Sequence, residues 1–157
     1  MSYFLPELER LRLRDALKSR GLRPTRQRSC VYAVILAKRD HPTADEVHGR
    51  VRKNLPSISL ATVYNCLEAL VECGLVRQVN LDRSSTRFCP NQEPHAHFRC
   101  KETGKVYDVA LDEQALSLLN DVLPAGFKAD IIDLSFSGVG PEVPSPVTFR
   151  PIRKSAR

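Results

Sequence analysis

Apolar positions in the first half of the chain recur every three or four residues, and the period then changes. "PELERLRLRDALKSRG" places Leu8 and Leu11, then Leu13, Ala16 and Leu17, on neighbouring faces of a helix closed by Gly21. "RPTRQRSCVYAVILAKRD" opens on Pro24-Thr25, a helix start, and turns Val31, Val34 and Ile35 inward. In "HPTADEVHGRVRKN" Thr43 precedes Glu46 by three residues, a capping-box spacing that predicts a third helix from about Ala44. "SISLATVYNCLEALVECG" predicts a fourth helix, with Ser59 as N-cap, Gly74 as stop and one stripe of Leu60, Val63, Leu67, Leu70 and Val71. Beyond it, "LVRQVNLD" and "STRFCP" read as two short strands around a turn at Asp82–Ser85.

Helices followed by a β-hairpin are the element order of a winged helix-turn-helix, in which the last helix enters a groove and the hairpin touches the flanking backbone. On the fourth helix, the face opposite the apolar stripe carries Ala61, Thr62 and Asn65, with Tyr64 at its edge. Small and hydrogen-bonding side chains there suit contact with base edges. From His95 the chain reads strand "HAHFRCK", turn "ETG", strand "KVYDVAL", helix "LDEQALSLLNDVLPAG" and strand "FKADIIDLSFSG". Three strands and one helix cannot bury both faces of a sheet, so pairing with a second copy is expected. The fold class is therefore α+β: a winged helix-turn-helix domain over residues 1–88, a small α/β dimerisation domain over 89–140, and a flexible tail over 141–157.

Charge reinforces the division. Residues 1–88 carry a net +7 and residues 89–157 a net −1, within a chain of +6. A basic first half joined to a neutral second half points to a polyanion-binding module coupled to something else. No apolar run is long enough to span a bilayer, and the N-terminus lacks the pattern of a signal peptide. Five cysteines without regular spacing fit a reducing compartment rather than a disulfide framework. A cytoplasmic protein without a membrane partner is the expectation.

Candidate chemistry gathers between Arg87 and Asp108. In "HAHF", His95 and His97 are two apart, so on a strand both imidazoles leave one face and can share a metal. Cys89 lies just upstream, and Asp108 lies on the neighbouring strand across the "ETG" turn. Thiolate and imidazole favour zinc, whereas imidazole and carboxylate also suit iron(II) or manganese(II). The same donors, with an open coordination position, would describe a zinc hydrolase. No Glu or His is obviously placed as its general base, and the basic helix-turn-helix would go unexplained.

"GLRPTRQR", "HPTADEV", "SLATVYNCLEALVECGLVRQV", "STRF" and "HAHFRC…GKVYDV" together resemble the ferric uptake regulator family, in order and spacing, over roughly residues 10–138. The resemblance implies a metal-dependent, homodimeric repressor that binds a double-stranded DNA operator and is not an enzyme. It implies one divalent metal per chain at His41, Cys89, His95, His97 and Asp108, with zinc favoured and iron(II) or manganese(II) as alternatives. A peroxide-sensing regulator using iron or manganese at that site is the second reading. On DNA, it puts Tyr64 on base edges, Arg23 in the adjacent minor groove, and Ser59 and Thr62 near phosphates or bases.

The chain departs from the family pattern in three ways. A structural zinc held by two Cys-x-x-Cys pairs is not expected, because the first pair reads Cys100-Lys-Glu-Thr103 and the second positions are Gly140 and Val143. The positions that alternate with His-x-His in a further family site are Pro94 and Ala96, neither a ligand. Cys89 stands where iron sensors of the family carry Glu, peroxide sensors Asp and zinc sensors Cys, yet a carboxylate that some zinc sensors place after "GLV" is Arg77 here.

Overall fold

A tight αL turn closes the first helix, α1 (Glu7–Ser19), and the same device closes the fourth, α4 (Leu60–Glu72). Gly21 and Gly74 take φ of 68° and 72°. The residue after each glycine donates its N–H back across the last turn, Leu22 to the Leu17 carbonyl at 2.9 Å and Leu75 to the Leu70 carbonyl at 3.0 Å. Only glycine enters that region without a Cβ penalty, which is why both helices stop where they do. These details come from a computed structural model that describes residues 3–81, 83–143 and 147–150. The chain separates into two compact units, Met1–Gln92 and Glu93–Arg157. The split lies a few residues beyond the expected boundary, so Cys89 belongs with the helices.

The first unit adds α2 (Arg26–Ala37), α3 (Ala44–Val51) and the two-stranded antiparallel sheet β1 (Arg77–Val79) and β2 (Arg87–Cys89). Helix starts are fixed locally. Thr25, Thr43 and Ser59 each accept the N–H of the residue three positions on, and Thr43 with Glu46 completes a capping box. Each such cap contributes about 1 kcal/mol. The core joins Leu13 and Leu17 of α1, Val31, Val34 and Ile35 of α2, Val47 and Val51 of α3, and Val63, Leu67 and Leu70 of α4. This is a winged helix-turn-helix, with β1 and β2 as the wing. Leu8 and Leu11 do not join the core but are 75% and 36% exposed, because the buried stripe of α1 runs through Leu13 and Leu17 alone. On α4, Leu60 and Val71 lie only half-buried at the edges of the stripe. The wing turn's Asp82 lies outside the described residues.

The second unit is a four-stranded sheet in the order β5-β3-β4-β6, with one helix. Its strands are β3 (His95–Cys100), β4 (Val106–Ala110), β5 (Ser135–Gly138) and β6 (Thr148–Phe149), and α5 (Glu113–Asp121) follows β4. β3 and β4 form an antiparallel hairpin, while β5 adds to β3 and β6 to β4 in parallel. The sheet thus has four strands where the sequence predicts three, since Thr148–Phe149 of the proline-rich tail pairs with Asp108–Val109. The strand expected over 127–138 contracts to its last four residues. Phe127 and Ile131 precede it, 70% and 76% exposed. The basic end of the tail, residues 151–157, lies outside the described residues.

Candidate functional site

In the first unit, His41 and Cys89 are drawn together by backbone pairing rather than by proximity in sequence. The turn from α2 to α3 runs along β2. The Phe88 N–H donates to the Pro42 carbonyl at 3.0 Å, and Thr43 forms a β-bridge with Arg87. Arg87 Nη1 donates to the His41 carbonyl at 2.9 Å. His41 is 3% exposed and Cys89 1%, and a ligand atom of each lies within 4.8 Å of the other. His41 is also the one non-glycine among the described residues with positive φ, at 55°. A left-handed residue costs about 1–3 kcal/mol and persists only where its surroundings over-determine it. Here the carbonyls of residues 41 and 42 are both held by β2. On the other side, Asp40 takes a bidentate pair from Arg50 of α3, both bonds at 2.8 Å, and a third contact from Lys38 at 3.1 Å. Burial alone would raise the Asp40 pKa. The Arg50 fork and Lys38 outweigh it and hold the carboxyl below its ordinary range.

In the second unit, strand register builds the other donors. His97 is paired directly opposite Asp108, and His95 lies two residues earlier on the same face. His95 Nε2 and His97 Nε2 are 3.1 Å apart, and Asp108 Oδ1 lies 3.6 Å and 3.5 Å from them. The three side chains are 0%, 14% and 11% exposed. Nδ1 of His95 sits 2.6 Å from the Glu93 carbonyl oxygen. A carbonyl only accepts, so Nδ1 carries the proton and Nε2 presents its lone pair to the point where His97 and Asp108 also converge. A metal ligated at about 2.0–2.1 Å in tetrahedral geometry spaces its donor atoms roughly 3.3 Å apart. The observed separations fit that spacing, and the backbone carbonyl behind His95 is the usual outer partner of a ligating imidazole.

Gly140 and Val143, the positions expected to stand where a second Cys pair would be, line a cavity of about 270 Å³ together with Phe98, Cys100, Tyr107 and Phe149. Cys100 is the only cysteine after Cys89.

The residues expected on DNA lie on α4 and in the loop before α2. Tyr64 is 46% exposed, and Ala61 and Asn65 are exposed beside it. Ser59 accepts the Thr62 N–H at 3.1 Å and so caps the helix, and the Thr62 hydroxyl lies 2.8 Å from the Ser59 hydroxyl. Arg23 is exposed, and its carbonyl accepts from Arg28 Nη1 at 2.5 Å. Sequence reasoning missed Arg87, Asp40 and Arg50 as braces of His41. "STRF" displays Arg87, but only the pairing of β2 with residues 42–43 reveals what it holds.

The sequence profile of the Ferric uptake regulator family matches residues 19–136. The chain belongs to this family. Among its relatives, a peroxide-responsive repressor of Staphylococcus aureus is 36% identical over 93 residues, which is 59% of this chain and 63% of that protein. The match thus spans less than two thirds of that relative's length. The Campylobacter jejuni peroxide stress regulator superposes with a TM-score of 0.65 at 28% identity, covering 88% of this chain and 98% of that one. The Helicobacter pylori ferric uptake regulator, described as having three functional metal binding sites, gives 0.74 at 22% identity over 89% and 94%, a likeness of fold. Members of the family are transcription regulators rather than enzymes. No helix among the described residues is long and apolar enough to cross a membrane.

Proposed function

We propose that this member of the ferric uptake regulator family is a metal-dependent, dimeric transcription repressor of the cytoplasm. It binds one divalent metal per chain through donors drawn from His41, Cys89, His95, His97 and Asp108. The observation that carries this reading is the convergence of the His95 and His97 Nε2 atoms with Asp108 Oδ1 at coordination spacing. His41 and Cys89 form a second, buried donor pair in the DNA-binding unit. A metal that recruits both sets favours one arrangement of the two units, and so shifts the population toward the DNA-competent state. The thiolate makes zinc the favoured ion, with iron(II) or manganese(II) as alternatives. Tyr64 with Thr62 and Ser59 reads the operator, and Arg23 enters the minor groove beside it. Exposed Leu118, Val122, Ile131 and Phe136 of the second unit supply the apolar surface for a second copy.

The second reading, a peroxide-responsive regulator using iron or manganese, draws on the two peroxide regulators among the similar proteins. Metal analysis of protein purified without chelator, paired with operator binding before and after hydrogen peroxide, tests both. Stoichiometric zinc and binding indifferent to peroxide support the first reading. Iron with peroxide-sensitive binding supports the second, and metal-free protein with unchanged DNA affinity overturns both.

A further inference from the structure

Arg87 occupies a junction that the donor set alone does not explain. Its Nη1 donates to the His41 carbonyl at 2.9 Å and lies 3.6 Å from Glu46 Oε2. The same Glu46 oxygen accepts the Thr43 N–H at 2.8 Å, while the Glu46 N–H donates to Thr43 Oγ1 at 3.3 Å. One nitrogen thus ties the peptide of a candidate ligand to the capping box that starts α3. The Arg87 side chain is 26% exposed, so the contact is partly withdrawn from solvent. Two residues further along β2 stands Cys89, the other donor of this unit.

We propose that Arg87 is the positioning residue that carries metal occupancy at His41 and Cys89 to the start of α3. The inference rests on the reading that metal controls DNA binding. His41 is held in a left-handed conformation by bonds to its own and the next carbonyl. Ligation of its imidazole together with Cys89 would fix that peptide against β2. Arg87 then fixes Glu46, and Glu46 fixes the first turn of α3, which packs against the recognition helix α4. Without the guanidinium, the Phe88–Pro42 bond and the bridge at Thr43 still hold the fold, but ligand and helix start are no longer joined through a side chain. A lysine keeps the charge without the planar fork and restores the junction only in part.

The test uses the full chain and zinc as the probe, with operator affinity measured in metal-free and zinc-loaded protein. Coupling of this kind is typically about 5–150-fold. The wild type is expected to gain at least tenfold on zinc addition, in that range. Arg87→Met should gain less than about threefold while its metal-free DNA affinity and thermal midpoint stay near wild type. Arg87→Lys and Glu46→Gln should fall between. Linkage requires zinc affinity to rise on DNA binding by the same factor in each protein, which gives an independent reading of the coupling. Hydrogen exchange at the Glu46 and Val47 amides should slow on zinc addition in the wild type and not in Arg87→Met. An undiminished zinc gain in Arg87→Met overturns the proposal while leaving metal control intact. Equal losses with and without zinc make Arg87 a phosphate contact and overturn it too. Absence of any zinc gain in the wild type overturns the reading of metal control, and this proposal with it.

Discussion

The Glu93 carbonyl oxygen fixes the tautomer of His95: at 2.6 Å it accepts the hydrogen bond donated by Nδ1–H and leaves the lone pair on Nε2. That nitrogen faces His97 Nε2 at 3.1 Å, with Asp108 Oδ1 completing a triangle. Because the strand pairing sets this triangle before any ion arrives, little reorganisation is left for binding to supply. Asp108→Asn keeps the shape and removes the charge. It is expected to lower zinc affinity by at least the loss of about 10–100-fold typical for an outer partner of a ligand, measured by competition with a chromophoric chelator, with the fold unchanged by circular dichroism. Equal zinc affinities would remove Asp108 from the site.

DNA binding is predicted to fall steeply with salt, since Lys and Arg contacts of the +7 first unit release counterions. Tyr64→Ala should lose discrimination between operator and random duplex more than total affinity, because its exposed ring lies on the face of α4 proposed to read bases. Arg23→Ala should weaken binding modestly and mainly on A·T-rich flanks. Titrations on both duplexes decide it: equal losses for Tyr64→Ala would exclude base reading.

How far these features were legible depended on the reach of the interaction. Caps at Thr43 and Ser59 and stops at Gly21 and Gly74 involve neighbours in sequence, so local chemistry announces them. The His95–His97–Asp108 set follows from the two-residue period of a strand and one short turn. Strand β6 was hidden because a two-residue pairing in a proline-rich tail has no periodicity of its own. The exposure of Leu8 and Leu11 was hidden too, since an apolar helix position is buried only where a neighbour exists to cover it. The bracing of His41 by Arg87 spans long-range pairing that no local pattern encodes.

Tyr32 gives the first unit an alkaline limit. Its hydroxyl donates to Glu9 Oε2 at 3.1 Å, and burial, followed by the Glu9 charge, pushes its pKa up to about 12 from 10.0. The folded state therefore holds the phenol proton more tightly than the unfolded chain. The contribution is full below pH 10 and is lost as pH rises from 10 toward 12, at a slope on the order of 1.4 kcal/mol per pH unit. Tyr32→Phe should cost about 0.5–1.5 kcal/mol at neutral pH and flatten that slope, as read from urea midpoints across the alkaline range. Parallel pH profiles for the two proteins would assign the alkaline loss elsewhere.

Dimerisation is expected to survive chelation. The resemblance puts Thr103, Gly140 and Val143 at three of the four thiolate positions of a structural zinc, and the latter two line an apolar cavity with Cys100. Association must then rest on apolar side chains such as Ile131 and Phe136 rather than on metal-dependent folding. Sedimentation in the presence and absence of a strong chelator checks this, and clean monomer after chelation would contradict it.

Cys89 is expected to decide the metal. It ends β2 at 1% exposure, with its ligand atom within 4.8 Å of one from His41. A thiolate is a soft, strongly donating ligand, so a set containing Cys89 with imidazoles should prefer zinc to manganese, following both softness and the Irving–Williams order. Cys89→Asp replaces it with a hard oxygen and should shift preference toward iron(II) or manganese(II), making operator binding more peroxide-sensitive. Cys89→Ser should lower metal affinity and leave the fold intact, because a buried serine of nearly equal volume disturbs packing little. Cobalt(II) titration reads the ligand directly. A cobalt–thiolate bond gives a strong near-ultraviolet charge-transfer band, expected in the wild type and absent from Cys89→Ser. Superimposable spectra would show that Cys89 only packs the end of the wing, and the preference for zinc would then lose its chemical basis.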